Sequence, residues 1–338
     1  MKILITGCAG FIGSNLSRAL LKLGHAVYGI DDLSVGNKDY LPKQVRCLYT
    51  HQLDHYSINK LKFPFESLDF IIHLASRKIP REGRPDRVLK ENALCMMNVV
   101  NMAKKFDAKI IFLSSSEVYG LNPMTSENST FIFGHPENVR WSYGLSKAWC
   151  ENYLFGTEGI RFNIIRLFAT YGPWNCRHWR AGPIPVFIEQ ALNNETITLH
   201  GGSQTRCFQY IDDAIDGILS IIKRDDIDRK IYNIGNPYEE ISIAQLAYKI
   251  YELIDPINQN IRIVEPCEIK RRVPTIRRAV EDIAFKPVVK LEEGLKKTIE
   301  WHRSELGKEI WMRYVSKKKG VKKVPIFYKR RGVIFYKL

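Results

Sequence analysis

Tyr143 and Lys147 stand four positions apart in a helix-period segment, a spacing that stacks a phenol and an ammonium on one helix face. A cation beside the phenol favours the phenolate, lowers the tyrosine pKa and gives a general base usable near neutrality. Alone, the pair is more often a packing tyrosine beside a solvated lysine; the glycine motif and the strand-end serine are what favour the chemical reading. Ile110-Ile111-Phe112-Leu113 reads as a strand that empties into Ser114-Ser115-Ser116-Glu117. Polar residues at the carboxyl end of a central parallel strand face the ligand crevice, which places Ser115 to hold a substrate oxygen in line with the phenol.

A second cluster handles phosphate. Gly7-Cys8-Ala9-Gly10-Phe11-Ile12-Gly13 follows a strand and opens an apolar helix. In such a turn Gly7 permits the tight bend, Gly10 lets a pyrophosphate approach the backbone, and Gly13 allows close helix packing, with the phosphates at the positive end of the helix. The spacing is GxxGxxG, and a bare triplet of glycines also serves as a helix-packing turn. The next strand ends at Asp31, 18 residues after Gly13, where a carboxylate accepts hydrogen bonds from a ribose diol and repels a 2′-phosphate. NAD is therefore expected over NADP. Asp32 is the alternative ribose ligand or a helix cap, and Asn92, at the start of an apolar helix, is a cap or a cofactor ligand.

These side chains need a parallel sheet to position them. Strands are expected at 2–6, 26–30, 46–50, 69–73, 109–114 and 162–167, alternating with helix-period segments at 12–23, 88–105 and 143–157. That rhythm predicts an α/β, Rossmann-type doubly wound sheet over residues 1–173. After Pro173 the runs shorten between Gly-Pro and Gly-Gly breaks, with helices expected at 184–193, 212–223, 242–254 and 291–303. They predict a smaller C-terminal α+β substrate domain over 174–310, with some chain crossing back to the sheet.

With 338 residues, 45% hydrophobic and 26% charged, the chain excludes a disordered or fibrous class. Its net charge of +15 is uneven, since ten basic and no acidic residues lie between Trp311 and Leu338. The 311–338 extension is read as a solubilising or oligomer-stapling segment, or as a contact for an anionic surface. Seven cysteines without CxxC or metal spacing indicate reduced thiols, no metal site and a cytoplasmic protein. The N-terminus has no room for a signal peptide and no run is long enough to span a bilayer.

Gly7 to Gly13, Asp31, His73-Leu74-Ala75, Ser115, Tyr143 with Lys147, Tyr171-Gly172-Pro173 and Gln204-Thr205-Arg206 occur in an order that resembles the extended short-chain dehydrogenase/reductases acting on nucleotide sugars. The resemblance covers roughly residues 1–305. It implies a bound NAD that oxidises the sugar at C4, Tyr143 as base, Ser115 as its partner, and Lys147 holding Tyr143 and the nicotinamide ribose. It also implies Leu74 and Ala75 beside the cofactor, a nucleotide diphosphate (UDP by expectation) held partly by Arg206, and a homodimer through the helices at 88–105 and 143–157. Three positions depart from the family: Ala169 replaces an asparagine that contacts substrate, Gln52 replaces an adenine-binding aspartate, and Ser76 to Arg81 is unusually basic. Arg77 or Arg81 is a candidate for a substrate carboxylate or phosphate, or a solvated loop charge.

Once C4 is a ketone, the residues over C5 decide the reaction. Ser115-Ser116-Glu117 resembles the Thr-Ser-Glu of UDP-glucuronate decarboxylases, and Arg271-Arg272-Val273-Pro274 resembles their Arg-x-Pro. That resemblance implies Glu117 and Arg272 as catalytic residues, with Ser116 and Arg272 contacting substrate, and decarboxylation is the leading expectation. A UDP-glucose type 4-epimerase is the alternative if Glu117 is only structural. A dehydratase using Glu117 and a non-catalytic Rossmann binding protein complete the possibilities; Ser116 lacks the acid that 4,6-dehydration needs, and the intact Ser115, Tyr143 and Lys147 oppose the last.

Overall fold

Short runs of isoleucine, leucine and phenylalanine become strands buried on both faces, because helices cover the sheet above and below. The computed structural model describes residues 1–49, 64–78, 84–175, 182–264, 267–304 and the strand segments 326–330 and 333–337. In chain order the first half runs β1 (Lys2–Thr6), α1 (Phe11–Lys22), β2 (Ala26–Asp31), β3 (Arg46–Tyr49), β4 (Phe70–His73), α2 (Pro85–Phe106), β5 (Lys109–Ser115), α3 (Ser142–Gly156) and β6 (Phe162–Leu167). The second half continues with β7 (Thr170–Tyr171), α4 (Pro183–Leu192), β8 (Ile197–His200), β9 (Thr205–Cys207), β10 (Gln209–Tyr210), α5 (Ile211–Ile222) and β11 (Lys230–Ile234). It closes with β12 (Glu240–Ser242), α6 (Ile243–Ile254), β13 (Ile261–Val264), β14 (Arg271–Arg272), α7 (Arg277–Ile283), α8 (Leu291–Arg303), β15 (Ile326–Arg330) and β16 (Val333–Lys337).

Seven strands form one sheet in the order β11-β6-β5-β4-β1-β2-β3, all parallel. The chain steps outward from β1 to β3 and then returns to β4, so the winding reverses beside β1 and a crevice opens there above the strand ends. Period-two alternation assigns the faces: Ile3 and Ile5 enter one core with Leu16 and Leu20 of α1, while Leu4 enters the other with Met96, Val99 and Leu154 from α2 and α3. Each such side chain contributes roughly 1.5–3 kcal/mol by leaving water.

The smaller unit lies beyond the carboxyl ends of the strands. There β9 pairs with β12 antiparallel and β14 parallel, and β8 pairs with β13. The chain crosses back after position 173, since β11 pairs with β6 in register Ile231↔Ile164 and α5 packs against α1. The basic extension contains an antiparallel hairpin, Phe327↔Tyr336 and Tyr328↔Phe335.

Candidate active site

The first end of the cleft is the glycine turn. Gly7 has φ +72°, and a Cβ there would come within 2.8 Å of the Ala75 nitrogen; a Cβ on Gly13 would come within 2.4 Å of the Gly7 oxygen. Both positions therefore demand glycine. Gly10 occupies the N-cap of α1 without a side-chain cap, so the first N–H groups of the helix stay open to an anion. Phe11, Ile12, Leu74 and Ala75 line the same end. This cradle fits a dinucleotide pyrophosphate.

Asp31 is buried at the end of β2 and accepts hydrogen bonds from the Ala9 and Leu33 amides, each at 2.8 Å. Burial raises its pKa and the two amides work against that. Asp32 pairs with the Arg77 guanidinium at 2.9 Å, and Arg77 also binds Glu91. Asn92 corrects an expectation: it is the eighth residue of α2, not a cap. Its Oδ1 accepts from the Arg77 amide at 2.7 Å, and its Nδ2 donates to the Arg77 carbonyl at 3.0 Å and to Ser146 Oγ at 2.8 Å. Asn92 thus fixes the loop after β4 against α2 and α3.

The catalytic end is built where β5 stops. Ser115 accepts from the Glu117 amide at 3.2 Å and starts a single 3₁₀ turn, Ser116–Tyr119. Ser115, Ser116, Glu117, Tyr143 and Lys147 all line one cleft of about 850 Å³. The structure differs from the expected electrostatics. Burial raises the Tyr143 pKa, with the Ser115 and Ser76 hydroxyls lowering it as hydrogen-bond partners. Lys147 Nζ lies 5.9 Å from the Tyr143 ring centroid and donates to the Leu113 carbonyl at 2.7 Å. Burial lowers Lys147 to about 8. The Ser115 and Ser76 hydroxyls favour the phenolate against the larger effect of burial.

Below this level a buried network braces the strand end. Ser114 Oγ donates to Glu151 at 2.5 Å, Arg166 pairs with Glu151 at 2.7 Å, and Arg166 also reaches the Tyr119 hydroxyl, which donates to Asn233 of β11. The repeat 143, 147, 151 on one helix face is the sequence signal that would have found Glu151.

The substrate end carries the arginines. Arg272 is buried; its Nη2 donates to the Gly120 carbonyl at 2.6 Å, while Nε and Nη1 are buried without a partner among the described residues. Arg206 stands beside it across the β9–β14 ladder and donates to the Thr205 and Ile269 carbonyls. Arg140, which the sequence reading passed over, lies 3.8 Å from Glu117 and 3.8 Å from Glu268. Its place three residues before Tyr143 was the available signal. Ala169 lines the cleft with Ser76, Arg77 and Lys78. Arg81 and Gln52 lie outside the described residues, among which no cluster suited to a metal ion occurs.

Residues 3–235 match the NAD dependent epimerase/dehydratase family, and the chain belongs to it. Its relatives are nucleotide-sugar enzymes. UDP-glucuronic acid decarboxylase 1 of Xenopus tropicalis is 34% identical over 328 residues, covering 94% of this chain and 76% of that protein. UDP-N-acetyl-alpha-D-glucosaminuronate decarboxylase of Bacillus cytotoxicus is 34% identical over 319 residues, covering 89% and 98%. Among solved structures, UDP-glucose 4-epimerase of Thermotoga maritima, with UDP-glucose, matches at a TM-score of 0.82 and 26% identity, covering 90% of this chain and all of that one. The Rossmann-type fold and the family resemblance are thereby confirmed.

Proposed function

We propose that this protein decarboxylates a UDP-linked hexuronic acid, UDP-glucuronate first, through a 4-keto sugar. The carrying observation is Arg272: a buried guanidinium whose Nε and Nη1 have no partner among the described residues, in the same cleft as Glu117, is suited to an anion such as a carboxylate. The decarboxylase relatives, at 34% identity over most of the chain, support the same reading.

When NAD is bound, it supplies the reversible oxidant for C4. The Gly7–Gly13 turn and the α1 N-terminus hold its pyrophosphate, Asp31 or Asp32 its ribose, and Lys147 the second ribose. Tyr143 takes the proton of the C4 hydroxyl while Ser115 keeps that oxygen in line. Arg272 holds the C5 carboxylate out of the plane of the sugar, so that electrons released on loss of CO2 delocalise into the C4 ketone. Glu117, with Arg140 beside it, manages the proton at C5, and Arg206 receives the nucleotide diphosphate. Ser116 and Ala169 shape the pocket around the sugar.

Anaerobic incubation with NAD and, separately, UDP-glucuronate, its 2-N-acetyl analogue and UDP-glucose tests this, with CO2 and products followed by NMR. The expected result is stoichiometric CO2 with a UDP-pentose or its 4-keto form. Glu117→Gln and Arg272→Ala should each lower CO2 release by about 10²–10³-fold while NAD reduction remains detectable. Undiminished CO2 release would remove their roles. The epimerase structure at a TM-score of 0.82 supports a second reading, 4-epimerisation, which interconversion of UDP-hexoses without CO2 would establish.

A homodimer and a cytoplasmic location belong to the same proposal. Leu89 and Met97 of α2 and Leu145, Trp149 and Phe155 of α3 are exposed, and Trp149 stacks on Tyr153 at 5.0 Å. Such an apolar face on adjacent helices suits a second copy. Among the described residues no helix is long and apolar enough to cross a membrane, and no disulfide joins two of the six described cysteines.

A further inference from the structure

Two thiols meet behind the phosphate cradle. Cys8, fully buried in the turn between β1 and α1, places its Sγ 3.2 Å from the Sγ of Cys47 on β3. The strand between them, β2, carries Gly29 at that level, in register with Ile5 on one side and Cys47 on the other. A Cβ on Gly29 would stand 2.4 Å from the Cys8 sulfur and 3.2 Å from the Cys47 sulfur. The missing side chain is what lets a thiol from the turn after β1 touch one from β3 across β2.

We propose that Cys8 and Cys47 are a redox-sensitive pair, whose oxidation to a disulfide ties the phosphate-binding turn to β3 and weakens dinucleotide binding. The consequence for binding rests on the cofactor reading above; the disulfide itself does not.

The two sulfurs differ in access, and this sets the order of steps. Cys8 is enclosed, and its thiol contact with Cys47 together with burial pushes its pKa up, so it is not the first to react. Cys47 is half-buried. Its sulfur gives an electron pair to a hydroperoxide, the O–O bond breaks, and a sulfenic acid and water or an alcohol result. The Cys8 sulfur then attacks the Cys47 sulfur; the S–S bond forms as the S–O bond breaks, and the hydroxide leaves as water with the Cys8 proton. Overall two thiols lose two electrons and two protons to one hydroperoxide.

Bonding draws the sulfurs from 3.2 Å to about 2.05 Å. Cys8 has little slack for this. The neighbouring Ala9 amide is bonded to Asp31, and the Cys8 Cα already lies where a Cβ on Gly13 would be only 2.7 Å away. A shift of Cys8 therefore moves the turn relative to the α1 N-terminus, and both are needed at once for a pyrophosphate.

The full-length protein is reduced, exposed to hydrogen peroxide, alkylated and digested, and NAD binding is titrated calorimetrically on the reduced and oxidised forms. The expected result is one linked peptide joining Cys8 to Cys47 and loss of the mass of two hydrogens. NAD binding should weaken about tenfold and recover with dithiothreitol. Cys47→Ser should bind NAD like the reduced protein and keep that affinity in peroxide. Absence of the linked peptide while Cys95 or Cys267 is being oxidised would overturn the pair. A linked peptide with unchanged NAD affinity would overturn the effect on binding. Failure of the reduced protein to bind NAD would overturn the cofactor reading and that effect together, and the reduced titration distinguishes this from failure of the pair alone.

Discussion

Lys147 is held as a cation where the fold would prefer it neutral. Its pKa of about 8, against 10.5 in water, means the folded state disfavours the ammonium by about 3 kcal/mol at pH 7. That penalty is complete below pH 8 and is relieved as pH climbs to 10.5. Lys147→Met should therefore raise unfolding stability at pH 7 by up to about 3 kcal/mol while lowering turnover by about 10²–10⁴-fold; urea melts beside initial rates check both. His73 follows the same linkage in a lower pH window. Fully buried, bonded to Thr6 at 2.7 Å, it is lowered by burial and by Lys147 to about 3. A depressed folded pKa gives stability that is present above the unfolded value of 6.5 and lost as pH falls. Between pH 7 and 5 the protein should lose about 2 kcal/mol from this residue, and His73→Gln should flatten that part of the urea-midpoint profile. Residue types and spacing pointed to Tyr143, Lys147 and Ser115 in the sequence, and the family resemblance alone pointed to Arg272. Ser76 was not singled out, because its meaning depends on which loop faces which across the cleft.

Among the elements, β1 to β6 and every helix but α7 were legible nearly end to end, because burial on both faces forces continuous apolar runs and helices keep a 3.6 period; β7 to β16, among them the sheet strand β11, were not marked. The limits that moved have local causes: α2 begins at Pro85, ahead of the expected 88, since proline suits a first helical turn. Contacts between non-adjacent elements were not legible. Asp32 follows β2, Arg77 follows β4, and β1 with its glycine turn lies between those strands, so the 2.9 Å ion pair bridges the mouth of the dinucleotide crevice. Arg77→Ala should open this bridge and accelerate NAD dissociation by about tenfold, with turnover at saturating NAD changed far less; stopped-flow fluorescence of NADH release measures it. An unaltered dissociation rate would show that the bridge does not retain the cofactor.

For the molecule as a whole, charge and helix faces carry the remaining expectations. If α2 and α3 form the contact between two copies, Trp149→Glu places a carboxylate in an apolar interface and should shift sedimentation from dimer to monomer at micromolar concentration. A monomeric wild type would end that reading. The sequence changes rhythm at 173, but the return of β11 to β6 depends on tertiary pairing that local pattern does not contain. That return also governs the order of events as the protein is made. A nascent chain that has emerged only as far as Tyr171 holds β6 as a bare edge, with a row of backbone amides and carbonyls unpaired. Some 60 residues of the second unit must follow before Lys230–Ile234 covers it. The seven-stranded sheet is therefore complete only once the chain has passed Ile234, and synthesis interrupted earlier leaves β6 as a sticky edge.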